Sequence, residues 1–337
     1  MKNSNLENAN DSLSQRRKML KTCTLMAVLC AISGLALAQP YPSKPIKLVV
    51  AYPPGGVVDI VARTIAGPLS TALKETVLVD NRSGAGGFVG HASVAKSPAD
   101  GYTLLLSAAG PLISTKMYKS VPYDPVNDFT SIAMVGETDV LMVASGTSQI
   151  RTLAQLVERA KANPGKVNLS INSIGSIHHL LSELIMIRAG MELNRIPYKG
   201  AGQVMPDLLS GVLDVHMESL PLVLQHIKSG RLHPIAVASE SRLEALPDTP
   251  TFRELGYADM SGSPWYALVA PAGTPKEIVT RLNREMNEVL RQPEIKAQFA
   301  KLGVKIITSG ADETEKFIRA EIQRVGRILA ETGVKAN

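Results

Sequence analysis

The chain has 337 residues, with 36 Lys and Arg against 30 Asp and Glu, a formal net charge of +6 and 4% aromatic residues. No stripe of Lys and Arg interleaved with aromatics occurs, which argues against nucleic acid as a partner. Both cysteines, Cys23 and Cys30, fall within the first 38 residues, so the rest of the chain has no disulfide or thiolate chemistry and depends on a packed core.

Residues 1–38 read as an export signal. Arg16, Arg17, Lys18 and Lys21 form its basic segment. Residues 22–35 form an apolar segment too short to span a bilayer stably, and Ala36-Leu37-Ala38 supplies an A-x-A cleavage site that would leave Gln39 first. Residues 15–21 also fit a twin-arginine pattern, so the Sec and twin-arginine routes both stand open. Leu29 before Cys30 makes a poor lipobox. The signal holds five Lys/Arg and two Asp/Glu, which leaves 299 residues at a net charge of +3. That length suits two lobes of about 100–150 residues each. No later run is long and apolar enough to cross a membrane.

Strand-like and helical runs then alternate, the pattern of α/β layers. Residues 46–52 are β-branched and apolar, as in a buried parallel strand. Pro53–Gly56 breaks the run, and residues 57–73 carry apolar side chains at helical spacing. A short strand at 77–79, a helix at 88–95 and a strand at 103–106 follow. Further on come a strand at 139–144 and a helix at 152–162 with Thr152 as its cap and Pro164-Gly165 as its stop. A strand is expected at 167–171, and a helix capped by Ser176 runs to 187. Helices at 205–210 and 221–228 bracket a strand at 212–217. Strands at 234–238 and 265–270 precede a helix start at 274–277, with Thr274 as cap and Pro275 at the first helical position. That helix runs to 291, and two more cover 294–302 and 313–330. There is no internal repeat or low-complexity segment.

Two stretches early in the chain set the functional reading. Tyr52-Pro53-Pro54-Gly55-Gly56 leads into a helix, so backbone N–H groups lie at a strand end beside a helix N-terminus. Such a place suits an anion. Asp59 falls in the first helical turn, where its charge complements the dipole. It would repel a bare carboxylate unless water or N–H groups intervene, or it could pair with a ligand ammonium. In open α/β sheets ligands sit outside the carboxyl ends of strands, which singles out residues 52–59, 107–110 and 172–179.

Six motifs in this order resemble those of the Bug family, the periplasmic receptors of tripartite tricarboxylate transporters. They are Pro53-Pro54-Gly55-Gly56 with Asp59, Ala62 and Arg63; Asn81-Arg82-Ser83-Gly84-Ala85-Gly86-Gly87; Asp100-Gly101-Tyr102-Thr103-Leu104-Leu105; Ile196-Pro197-Tyr198-Lys199-Gly200; residues 246–251, LPDTPT; and residues 270–275, APAGTP. The resemblance covers nearly the whole chain after residue 40. Ser83 and Ala99 stand where the family usually has Pro. Ile174 and Ile177 replace commoner Gly or polar residues, and this tilts the expected ligand toward a less hydrated acid.

The resemblance implies an α/β, two-lobed periplasmic-binding-protein fold, type II-like, with the ligand in the cleft between lobes. One lobe would comprise residues 39–142 with about 265–337, the other about 143–264. The implied function is capture of an organic carboxylate by lobe closure and delivery to the membrane permease subunits, by a monomer located in the periplasm. Alternatives are an accessory sensor for a two-component system and a secreted hydrolase. Gly55, Gly56, Val57 and Val58 would give N–H groups from the first lobe, with Tyr52, Asp59, Ser107 and Ala108 around them. Ser173, Gly175, Ser176 and His179 would serve from the second lobe, with Tyr198 as a cleft wall. His178 is expected to point outward.

Other chemistries fit less well. Residues 84–90 give GxGxxxG, one residue longer than the dinucleotide fingerprint, and no GxxxxGK[ST] occurs. No GxSxG elbow is present. Tyr198 and Lys199 would point to opposite faces of a strand, a poor catalytic pair. Trp265 and Tyr266 read as core. His179 and Glu183 share a helical face, but without HExxH or a third ligand no metal is expected, and His216, His226 and His233 show no useful spacing. No cofactor and no catalytic residue are expected.

Overall fold

The computed structural model describes residues 41–115, 120–171, 176–198 and 201–333. The export signal, Ser173, Gly175 and Lys199 lie outside them. β1 (Ile46–Val50) runs between β2 (Val77–Asn81) and β3 (Thr103–Ala108), parallel to both. β1 is followed by α1 (Val57–Leu73), β2 by α2 (Phe88–Ala95) and β3 by α3 (Ala109–Ser114). Only Lys47 of β1 is exposed. α1 buries Val61, Ala62, Ile65, Leu69 and Leu73 along one stripe, which is what its helical spacing predicts.

Two strands that the sequence pattern did not announce extend this sheet. β4 (Phe129–Thr138) is antiparallel to the later strand β10 (Trp265–Pro271), which in turn is antiparallel to β3. β11 (Val304–Ile306) adds an outer antiparallel strand, giving the order β11-β4-β10-β3-β1-β2.

The chain leaves the first sheet at Asp139 and enters a second at β5 (Val140–Ser145). There α4 (Leu153–Ala162), β6 (Asn168–Ile171), α5 (Ile177–Ala189), β7 (Asn194–Pro197), α6 (Ala201–Ser210), β8 (Val215–Ser219), α7 (Leu220–Lys228) and β9 (Leu232–Val237) follow. The strand order is β7-β6-β8-β5-β9, with β7, β6 and β8 parallel. Thr152 caps α4 by accepting from the Gln155 N–H, as expected. The chain then returns to β10 and continues through α8 (Lys276–Arg291), α9 (Pro293–Lys301), β11 and α10 (Ala311–Thr332). Thr274 does not cap α8. Its hydroxyl donates to the Pro271 carbonyl at 2.8 Å, and the helix begins at Lys276.

The two crossings between sheets are hydrogen-bonded side by side. Thr138 N–H donates to Pro264 O at 2.9 Å, Ala238 N–H to Val140 O at 2.8 Å, and Gly262 N–H to Ala238 O at 3.0 Å. A single apolar cluster runs through this region, joining Val49, Leu105 and Met134 to Met142, Ile185, Trp265 and Ile322. α10 also ties down the return crossing and the end of α5: Arg324 donates to Ser261 O, and Arg188 of α5 donates to Glu331 of α10 and to Asp259. The fold is therefore two α/β halves on a short, bonded double crossing.

Candidate functional site

The turn after β1 is held by side chains from two of the sequence motifs. Gly55 has φ +87°, a conformation that L side chains avoid, and its N–H donates to Asp59 Oδ2 at 2.9 Å. Asn81 Nδ2 donates to Asp59 Oδ1 at 2.8 Å and to the Tyr52 carbonyl at 3.1 Å. Arg63 Nε donates to the same carboxylate at 3.0 Å, and its Nη2 to Asn81 Oδ1 at 3.1 Å. Arg63 was one helical turn from Asp59, a spacing that signals such a pair. The Arg63 bond is the main reason the buried Asp59 carboxyl is lowered to about 2, with Gly55 and Asn81 adding to it against burial.

This circuit has a consequence for the expected site. Asp59 is committed to the turn and is charge-balanced, and the Gly55 N–H is already taken. What stays open is the start of α1. Gly56 is its N-cap and has no side chain to cap with. The first-turn N–H groups have no carbonyl partner inside a helix. Gly56 and Val57 are exposed and Val58 is half-buried.

β3 brings Ser107 and Ala108 to the same end of the sheet, beside Tyr52. Tyr52 is half-buried, and burial raises its phenol. Ser107 faces inward. Buried His91 has Nδ1 2.9 Å from the Gly87 carbonyl and Nε2 3.0 Å from Ser107 Oγ. A carbonyl only accepts, so Nδ1 carries the proton and the Ser107 hydroxyl donates to Nε2. Burial lowers His91 to about 4, which keeps it neutral. His91 also stacks on Tyr123, at 5.4 Å between centroids. Composition and spacing gave no hint of His91. The glycines of the second motif serve close packing: a Cβ on Gly90 would stand 2.6 Å from Ala51 Cβ.

In the second half, β6 and β7 end together at Ile171 and Pro197, and parallel β8 runs on past them to Ser219. Ser176 caps α5 by accepting from His179 N–H at 3.2 Å. His179 is buried, with Nε2 3.5 Å from Glu183 Oε1. Glu183 accepts twice from Arg195, at 2.6 and 2.7 Å. Burial raises this carboxyl, but the Arg195 and His179 bonds outweigh it and bring it to about 2. Tyr198 is half-buried and donates to Asp207 Oδ2 at 2.6 Å. Burial and that bond push its hydroxyl up to about 12. His178 does not point outward. Its Nε2 lies 3.0 Å from Ser219 Oγ and 3.5 Å from Glu218 Oε1, because the first turn of α5 overhangs the end of β8. Trp265 and Tyr266 are buried, Trp265 edge-on to Phe317 at 5.7 Å.

The site residues thus gather in two groups at strand ends, one per sheet: Tyr52, Gly55–Asp59, Ser107 and Ala108 on the first; Ser176, His179 and Tyr198 on the second. Two α/β halves with candidate groups at their strand ends define the class of two-lobed binding proteins. The family model described as the tripartite tricarboxylate transporter family receptor matches residues 61–334, and the chain belongs to that family. It is 40% identical over 322 residues to Protein BugT of Bordetella pertussis (strain Tohama I), across 94% of this chain and 99% of that protein. The structure of the periplasmic binding protein BugD matches at a TM-score of 0.74 and 32% identity, across 88% of this chain and 100% of BugD. The structure of R. palustris Rpa4515 with adipate matches at a TM-score of 0.77 and 29% identity, across 88% of this chain and 99% of that one.

Proposed function

We propose that this chain is a periplasmic receptor that captures an organic carboxylate between its lobes and delivers it to the membrane subunits of a tripartite tricarboxylate-type permease. The lobes would be residues 39–142 with about 265–337, and about 143–264. The observation that carries the reading is the start of α1, an exposed and uncapped N-terminus of a 17-residue helix, beside an acid already neutralised by Arg63. A ligand carboxylate there accepts from the N–H groups of Gly56, Val57 and Val58, directly or through water. Tyr52 and Ala108 wall the site.

Ser176, His179 and Tyr198, with Ser173 and Gly175 as the sequence expects, would contact the other end of the ligand. Contacts to both lobes exist only in the closed form, so ligand shifts the population toward closure. The binding of adipate by a relative supports a carboxylate of that size class. The reading assigns no catalytic residue, cofactor or metal, and treats the receptor as a monomer that returns its ligand unchanged.

A thermal-shift screen of residues 39–337 against di-, tri-, aromatic and amino-carboxylates tests this. A ligand at about 100 times its Kd stabilises the fold by about 2.7 kcal/mol. The ligand should be recovered intact, and Gly56→Val should weaken it. A flat screen on protein first freed of ligand by unfolding and refolding would refute the carboxylate assignment.

A further inference from the structure

Three phenols meet where the first sheet ends, and one of them has no hydrogen-bond partner. Tyr266 of β10 pairs with Ala108 of β3, and its hydroxyl lies 3.2 Å from Thr138 Oγ1, at the crossing into the second half. The Tyr123 hydroxyl donates to the Pro111 carbonyl at 2.8 Å. Tyr52 lies within electrostatic reach of both: burial first, then the neighbouring phenol, raises Tyr52 beside Tyr266 and Tyr123 beside Tyr52. The main chain of Tyr52 is fixed, because Asn81 Nδ2 donates to its carbonyl at 3.1 Å. Its hydroxyl makes no hydrogen bond among the described residues.

Gly110 places the tip of this ring. It is the second residue of α3, which directly follows β3. Outside its own helix, a Cβ there would meet only the Tyr52 hydroxyl oxygen within 4 Å, at 3.3 Å. The ring therefore reaches from the end of β1 across the end of β3, over the floor that Ser107 and Ala108 form. Tyr52 and Gly110 are both half-buried. The hydroxyl is not one of the sealed, unpartnered polar atoms of the described residues, so solvent reaches it. Drawing a hydroxyl out of bulk water without a partner is unfavourable, and a phenylalanine would fill the same space without that penalty. Packing thus does not account for the oxygen, and it stands at a strand end, where open α/β sheets place ligands. The raised phenol stays protonated near neutral pH and can donate. Asp59, the acid at this strand end, is engaged by Gly55, Asn81 and Arg63. A ligand ammonium would find no free charge there, whereas an anionic oxygen suits a neutral donor.

We propose that Tyr52 recognises the ligand through its hydroxyl, which donates to a carboxylate oxygen on the β3 side of the first half, while the N–H groups at the start of α1 donate from the other side. This rests on the receptor reading and deepens it: Tyr52 becomes a donor rather than a wall, and the first half selects an end that only accepts, an acid over an amine. A hydrogen bond to a charged group contributes about 1.5–3 kcal/mol, which is about tenfold to a hundredfold in affinity.

The test is calorimetric titration of the refolded chain, residues 39–337, with the α,ω-dicarboxylates from succinate to suberate, alongside urea unfolding without ligand. Tyr52→Phe should weaken every dicarboxylate that binds by about tenfold to a hundredfold, and leave the ligand-free unfolding midpoint unchanged or higher. A hydroxyl with a merely structural role would give the opposite pattern, a lower midpoint at unchanged affinity. Gly110→Ala crowds the hydroxyl alone, so it should weaken binding in the wild type and change nothing further in the Tyr52→Phe background. Such coupling is what a shared contact produces and independent sites do not. Affinity of Tyr52→Phe within about twofold of wild type, or a Gly110→Ala effect of equal size in both backgrounds, overturns the proposal and leaves the receptor reading standing. Failure of the wild type to bind any dicarboxylate of the series overturns the receptor reading itself, and the proposal with it.

Discussion

Asp59→Asn tests whether the turn after β1 is held from within. The wild-type carboxylate accepts from Gly55 N–H at 2.9 Å, Asn81 Nδ2 at 2.8 Å and Arg63 Nε at 3.0 Å. An amide offers one accepting oxygen, so at least one of these donors would face an NH₂ group. A buried donor left unsatisfied costs about 1–3 kcal/mol. The lost ion pair adds to this. Lowering the carboxyl from 3.8 to about 2 corresponds to about 2 kcal/mol. The Arg63 side chain is 54% exposed, and solvent screening brings that to about 1 kcal/mol.

The variant should therefore be about 2–3 kcal/mol less stable at pH 7, a fall in Tm of about 5 °C or more. Urea titration followed by circular dichroism measures it. The folded value of Asp59 lies below the unfolded one, so its contribution is complete above about pH 4 and is lost as pH falls through about 2. The gap between wild type and variant should be constant from pH 8 to 5 and narrow below 4. A variant within about 0.5 kcal/mol of wild type, the usual span for an ordinary surface change, would refute the circuit. A gap that stays constant down to pH 3 would refute the electrostatic part.

Gly56→Val should leave stability unchanged by equilibrium unfolding while ligand affinity falls, because Gly56 has φ −76° and its nearest Cβ contact would be 3.7 Å away. Gly90→Ala should do the reverse of sparing the fold: its Cβ would stand 2.7 Å from Ala51 Cα and 2.9 Å from Arg82 O, a backbone clash that costs about 3 kcal/mol. Ser176→Ala should destabilise by about 1 kcal/mol and Ser176→Gly by only a few tenths in thermal melts, the pattern of a lost helix cap. Buried His91, lowered from 6.5 to about 4, takes its proton later than the unfolded chain does. Wild-type stability should thus decline from about pH 6.5 to 4, by up to about 3 kcal/mol, and His91→Gln should flatten that part of the profile.

Much of this architecture was legible because parallel strands buried on both sides must be largely apolar, and residues 48–50 and 104–106 are wholly so. The first motif was legible as a turn for the same kind of reason: Gly55 adopts a conformation that favours glycine. β4 was not legible. Thr130, Ser131 and Gly136 break its pattern, and it is a strand because β10 and β11 pair with it from far along the chain. Gly136 was the available signal, since a Cβ there would lie 2.7 Å from Lys305 O, a close backbone approach of the kind that strand glycines mark. The orientation of His178 was equally hidden. Whether the second residue of α5 faces water or the end of β8 depends on how far β8 runs, and β8 extends to Ser219 where the apolar pattern suggested an end at 217.

The chain's handling of its own charges bears on what it can recognise. Asp59 is paired with Arg63 and Glu183 with Arg195, so each candidate strand-end cluster carries an internal ion pair. In the receptor reading this makes the recognising elements the neutral ones, main-chain N–H groups and hydroxyls, whose dipoles attract a carboxylate without fixing its length or shape.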